Sequence, residues 1–121
     1  MKIFSGIVRK HKGRGKTLGF PTANIDVNED AAEGVFVGYT RIHGELLPSL
    51  IFIGAPKTFS ETKKRLEAHI LDFDDGDLYG KRIEVKILEK IRDNRKFDSE
   101  KKLIEQMERD KLAARHFFKY N

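Results

Sequence analysis

Apolar and polar side chains alternate from Ile3 to Arg9, with Ile3, Ser5 and Ile7 on one face and Phe4, Gly6 and Val8 on the other. That period of two predicts a strand. Thr22 to Val27 predicts a short second strand, and the acidic stretch Asn28 to Gly34 (NEDAAEG) reads as a surface loop. Val35 to Ile42 is rich in β-formers, and His43-Gly44-Glu45 supplies a turn to a partner strand from Leu46 to Ile53. Pro48 inside that partner predicts an edge position or a bulge. Gly54 to Lys64 is a loop with Pro56 and a basic end at Lys63, Lys64 and Arg65. Strands follow from Leu66 to Phe73 and from Arg82 to Ile91, separated by the acidic turn DDGDLYG. In the later one Ile83, Val85 and Ile87 face inward against Glu84 and Lys86. The period then changes to that of a helix, from Ser99 to His116. Leu103, Met107, Ala114 and Phe117 form its apolar stripe, and Asp110 interrupts it. Ser99 or Asp98 can cap it, Glu100 suits the first turn, and the remaining charges form a solvated face. Six short strands and a terminal helix predict a mainly β fold, a small antiparallel β-barrel with a C-terminal α-helix packed against it.

Length changes this picture little: 121 residues suffice for one core, so residues 1–121 are expected to form a single domain. A hydrophobic fraction of 39% against a charged fraction of 36% describes a globular chain with a heavily charged surface. No apolar run reaches membrane-spanning length, and Met1-Lys2-Ile3-Phe4-Ser5 is not a signal peptide, so no membrane partner is expected. Cys is absent, which excludes disulfides, thiolate metal sites and cysteine nucleophiles and is compatible with the cytoplasm. No long apolar surface stripe is visible, which favours a monomer. The formal charge of +5 favours an anionic ligand, either a nucleotide or a nucleic acid.

Candidate chemistry concentrates between Gly13 and Asn24, GRGKTLGFPTAN. Gly13, Gly15 and Gly19 let backbone approach a ligand, and Arg14 and Lys16 bring positive charge, so phosphate is the natural guest. Pro21 steers Phe20 into an extended conformation, entering the strand in which Thr22 and Asn24 leave on one face. Two neutral oxygens side by side can complete the shell of a hard cation already held by phosphates. The stretch is not a P-loop. Lys10 stands where that motif needs glycine, and Leu18-Gly19-Phe20-Pro21 will not start a helix.

These blocks resemble riboflavin kinases, the ATP-dependent flavokinases. The resemblance rests on LGFPTAN after a glycine-rich loop, on Glu67-Ala68-His69-Ile70-Leu71-Asp72-Phe73, and on Asp77-Leu78-Tyr79-Gly80. It continues through Ile91-Arg92, Lys96-Phe97-Asp98-Ser99 and the terminal helix, in order and over nearly the whole chain. It implies a six-stranded Greek-key barrel that moves the γ-phosphoryl group of ATP to the 5′-hydroxyl of riboflavin, giving FMN and ADP. The implied cofactor is Mg²⁺ arriving with ATP, with Zn²⁺ or Mn²⁺ as possible substitutes. In bacteria this module is commonly fused behind an adenylyltransferase. No such module precedes Met1, so the chain is expected either to be naturally single-domain or to be an excised module, and to lack FAD synthesis.

Such a transfer needs held phosphates, a metal and a base for the attacking hydroxyl. Gly13, Arg14, Gly15, Lys16, Gly19 and Pro21 answer the first need, and Thr22 and Asn24 answer the second. Glu67, in an otherwise apolar strand, is the expected base, since the family's catalytic Glu opens the E-x-H-I-L-D-F block; His69, two residues on, is the rival. Arg92, Phe97 and Asp110 suit a flat slot for the flavin ring, and the resemblance places their counterparts on the riboflavin side. The alternative for Arg92 and Asp110 is an ion pair under the helix with Phe97 as core, and both can hold together. Two departures stand out. Phe52 occupies a position where many family members carry Asn, and the usual Pro-Thr-Phe is spread into Pro56-Lys57-Thr58-Phe59. The rival functions are a flavin-binding regulator without catalysis and a binder of single-stranded nucleic acid. The latter lacks a stacking platform, because Tyr39, Tyr79 and Tyr120 are scattered and Trp is absent, so no nucleic-acid partner is expected.

Overall fold

A computed structural model describes residues 2–9, 22–55, 64–72 and 78–120 of the protein. Its elements are β1 (Lys2–Ile7), β2 (Ala23–Asp26), β3 (Gly34–Ile42), β4 (Glu45–Gly54), β5 (Arg65–Ile70), β6 (Arg82–Arg92) and the helix α1 (Glu100–Tyr120). The strands form one sheet in the order β1-β6-β3-β4-β5-β2, antiparallel throughout. β3, β4 and β5 run as consecutive neighbours and β6 returns to lie beside β3, which is a Greek key. The outermost strands meet just beyond β1, where the Arg9 N–H donates to the Asn24 carbonyl at 2.7 Å. The sheet therefore curls into a nearly closed barrel, as the spacing of strands and turns predicts.

Alternation along the strands sorts the side chains into two apolar compartments. Ile25, Phe36, Ile51, Leu66, Ile83 and Val85 converge inside the barrel. On the outer face Val35, Val37, Leu50 and Leu71 pack against Ala114 of α1, with Phe52, Ile91, Phe117 and Phe118 around them. The helix thus dries a strip of sheet that would otherwise face water. Tyr39 adds a tilted ring contact to Phe118 at 5.3 Å, and Arg115 ties the helix to Asp72 at 2.9 Å.

Several local expectations need adjustment. β4 lies between β3 and β5, so Pro48 is not on an edge strand, and its pairing with Tyr39 runs without a register shift. The Pro48 carbonyl accepts from the Leu71 N–H at 2.9 Å, on the β5 side. A residue's N–H and C=O point to the same side of a strand, so the donor that proline lacks faces the point where β5 has ended. β5 stops at Ile70 because the chain turns at Leu71 and Asp72, the latter at φ 56°. The alternation of β6 fails after Ile87, where register shifts against β3 leave Leu88 and then Ile91 as extra residues. Such bulges bend a strand, and here they bring Ile91 to the helix side. Near the first of them a Cβ on Gly38 would stand 2.0 Å from the Lys86 carbonyl oxygen, so no side chain fits. α1 runs four residues past His116, and Ser99 caps it through its Oγ, which accepts from the Lys102 N–H at 3.2 Å. Among the described residues no helix is long and apolar enough to cross a membrane.

Candidate functional site

Residues directly opposite each other in an antiparallel pair project to the same face. In this sheet Asn24 pairs with Glu67, Glu67 with Phe52, Phe52 with Val35, and Val35 with Arg92. One rung therefore crosses five strands on the outer face, with Asn24 and Glu67 at one end and Arg92 at the other. At the usual strand spacing the path along the sheet from Glu67 to Arg92 is about 14 Å. His69 lies one rung away on the same face, opposite Leu50, and is buried.

At the first end, Asn24 is only 2% exposed, and β2 holds it there by pairing with β5 and by the bond from Arg9. The Oδ1 atom of Asn24 and the Oγ1 atom of Thr22 are both buried with no hydrogen-bond partner. An unsatisfied buried polar atom costs roughly 1–3 kcal/mol, so two adjacent acceptors left open are a feature that folding alone does not explain. Both are neutral oxygens. Among the described residues no group of three His, Cys, Asp or Glu side chains could hold a metal by itself. The pair therefore fits a hard cation whose remaining ligands are phosphate and water, and does not fit a self-sufficient metal centre. Glu67, half-buried, stands beside Asn24 in the rung.

At the far end Arg92 donates from Nε to Asp110 Oδ1 at 2.8 Å and from Nη2 to Oδ2 at 2.6 Å. Asp110 occupies the apolar stripe of α1 at 2% exposure, and Gln106 also donates to its Oδ1, at 3.0 Å. Arg92 Nη1 donates to the Asp93 carbonyl at 3.0 Å. The guanidinium is thus fixed in orientation while keeping donors to offer. Phe97 is half-buried in the segment between β6 and α1, and the Arg95 guanidinium lies 5.4 Å from its ring centroid. The ion pair under the helix exists, as one of the two readings of the sequence has it, but Phe97 is not core: it is half-buried and belongs to neither apolar compartment.

Gly13, Arg14, Gly15, Lys16, Gly19 and Pro21, expected to hold phosphate, lie outside the described residues, as do Pro56-Lys57-Thr58-Phe59 and Lys63. Lys64, at the basic end of that loop, is tied down. Its Nζ donates to the Ala31 carbonyl at 2.7 Å and pairs with Glu33 at 3.5 Å, fastening the loop before β3 to the start of β5. Gln106 and Arg95 escaped the sequence reading. The four-residue spacing of Gln106 and Asp110 on one helix was the available signal, since such a pair meets across one turn.

Comparison with known proteins identifies the family. The family model described as Flavokinase: Riboflavin kinase matches residues 2–118, and the chain belongs to the riboflavin kinase family. It is 43% identical over 116 residues to the trifunctional protein RibF/MnmA of Mycoplasmoides gallisepticum (strain R), covering 93% of this chain and 18% of that one. It is 35% identical to the bifunctional riboflavin kinase/FMN adenylyltransferase of Bacillus subtilis (strain 168), covering 96% of this chain and 38% of the relative. It is 38% identical to the RNA-binding riboflavin kinase RibR of the same organism, covering 91% and 48%. A crystal structure described as a macrolide-efflux protein from Streptococcus pneumoniae superposes with a TM-score of 0.80 at 35% identity, over 93% of this chain and 38% of that one. The chain thus spans less than half the length of each of these relatives.

Proposed function

We propose that the chain is a riboflavin kinase, transferring the γ-phosphoryl group of ATP to the 5′-hydroxyl of riboflavin. The observation that carries this reading is the rung itself. It sets Asn24, whose buried Oδ1 is open as is the Oγ1 of Thr22 two residues before it, beside the Glu67 carboxylate at one end. At the other it sets the guanidinium of Arg92, oriented by Asp110, five residues ahead of Phe97. Two such ends, about 14 Å apart along the sheet, suit one elongated molecule with a hydroxyl tail and a flat ring. Half-buried Phe52 stands between them, whereas Val35 is covered by α1.

In this reading Thr22 Oγ1 and Asn24 Oδ1 would hold the Mg²⁺ that accompanies ATP, which would supply charge neutralisation to the transferred phosphates. Glu67 accepts the proton of the attacking hydroxyl as the new O–P bond forms and the bond to the β-phosphate oxygen breaks, releasing ADP. Arg92, kept planar and oriented by Asp110, addresses the polar edge of the ring, and Phe97 covers its face. This reading calls for no nucleic acid; among the described residues Phe117, Phe118 and Tyr39 pack at the helix–barrel seam. Incubating the purified chain with riboflavin and Mg-ATP and separating products by chromatography tests the proposal. FMN formed with metal and not with EDTA is expected. Absence of FMN overturns it, and tight riboflavin binding without turnover would indicate a regulator.

A further inference from the structure

We propose that Gln106 is a positioning residue for the ring end of the site, and this rests on the flavin reading given above. Its side-chain amide joins two groups that otherwise do not meet. The Nε2 atom donates to Asp110 Oδ1 at 3.0 Å, and the Oε1 atom accepts from Arg95 Nη1 at 3.3 Å. Both partners fix its orientation, because a flipped amide would set its carbonyl against a carboxylate and its NH₂ against a guanidinium.

A continuous polar chain results, running from Arg92 through Asp110 and Gln106 to Arg95, whose guanidinium lies over Phe97. Its two ends differ. Arg92 sits on a strand of the barrel, whereas Arg95 and Phe97 belong to the segment between β6 and α1. Before Arg95 that segment is anchored to the barrel by the bond from Asn94 Nδ2 to the Ile53 carbonyl at 3.1 Å, by Arg92 Nη1 at the Asp93 carbonyl and by the ion pair of Asp93 with Lys90. Gln106 is the helix residue that sets the aromatic cover relative to the oriented guanidinium. Without it Asp110 Oδ1 keeps a single partner at a buried position, and Arg95 has no fixed place over Phe97. Gln106 acts through these two residues and not on the reacting atoms, so its removal falls on ring recognition and leaves nucleotide recognition, some strands away, in place.

The test compares Gln106→Leu with the unaltered chain in steady-state kinetics and in riboflavin binding followed by quenching of flavin fluorescence. We expect KM and Kd for riboflavin to rise about tenfold, with KM for Mg-ATP within about twofold. Arg95→Ala cuts the same chain at an exposed residue, guards against a folding defect in the first variant, and should give a riboflavin-specific rise of several-fold. Equal rises in both KM values for Gln106→Leu, or an unchanged riboflavin constant in a folded Gln106→Leu or in Arg95→Ala, overturn the assignment. Failure of the unaltered chain to bind or phosphorylate riboflavin overturns the functional reading instead, and the Gln106 role falls with it.

Discussion

Asp110→Ala tests most sharply what the buried ion pair contributes. Asp110 accepts three hydrogen bonds at 2% exposure, two from Arg92 and one from Gln106. Truncation leaves the guanidinium, whose side chain is 18% exposed, facing an apolar helix stripe with two N–H groups unanswered. Removing one partner of a buried pair costs about 3–5 kcal/mol, and the residual exposure of Arg92 puts this case near 3 kcal/mol. Against a typical total of roughly 5–15 kcal/mol that is a large loss, equivalent to a fall in Tm of roughly 10 °C for a chain of this size. Replacing both partners, as Arg92→Met with Asp110→Leu, removes the desolvated charges together. That variant should lie within about 1 kcal/mol of the unaltered chain or above it. Urea unfolding followed by circular dichroism measures all three, with constant m values as the check on two-state behaviour. Riboflavin binding should be lost in both variants. A stable double variant without ring affinity would mean that the pair is kept for recognition at no gain in stability. The reasoning is refuted if Asp110→Ala costs under about 1 kcal/mol, or if the double variant is as unstable as the single one.

Thr22→Val removes a buried hydroxyl that has no partner, so stability should hold or rise by up to about 1 kcal/mol while metal-dependent FMN formation falls about tenfold or more; thermal unfolding and product chromatography read the two effects. Glu67→Gln keeps shape and removes the base, so kcat should fall on the order of 10²–10⁴ with the riboflavin Kd within about twofold, and near-normal turnover would sink the assignment. A hydrogen bond and the charge of Arg115 hold the Asp72 carboxyl below its ordinary value despite opposing desolvation, and Lys90 does the same for Asp93. A carboxylate depressed in this way contributes its stability above its ordinary range and loses it as the pH falls through the lowered value. The gap in urea midpoint between the unaltered chain and Arg115→Ala should therefore be full at neutral pH and close in acid; a gap that widens in acid would contradict the assignment.

Strand positions and the inward–outward sorting of side chains were legible because a half-buried strand writes its burial into a period of two, as Ile83 and Val85 do. Thr22, Asn24 and Glu67 were legible as types at a suggestive spacing. That they converge was not, because convergence is a matter of register between strands distant in sequence, and Asn24 and Glu67 are neighbours only through the β2–β5 ladder. Pro48 misled because a missing donor argues for an edge only when the neighbouring strand is long enough to want it. The two extra residues of β6 left no mark, since an inserted Leu88 or Ile91 looks like any apolar residue of a strand. Asp110 was visible as a break in the helix stripe, whereas its partner on β6 is eighteen positions away and could be guessed from charge alone.

The two apolar compartments of the fold bear on how the protein comes apart. The ladders around the barrel interior are tied into one cooperative sheet, while α1 rests on the outer strip and is tethered by Arg115 and by the Arg92–Asp110 pair. We expect a partly open form, with the helix lifted and the barrel whole, at lower free energy than global unfolding. In that form Asp110 and Gln106 leave with the helix, whereas Asn24 and Glu67 stay on their strands. Amide hydrogen exchange would register it as a helix that exchanges ahead of β3 and β4. Under the proposed function, ring recognition would then fail before the sheet melts, and riboflavin would protect the helix amides by holding it down.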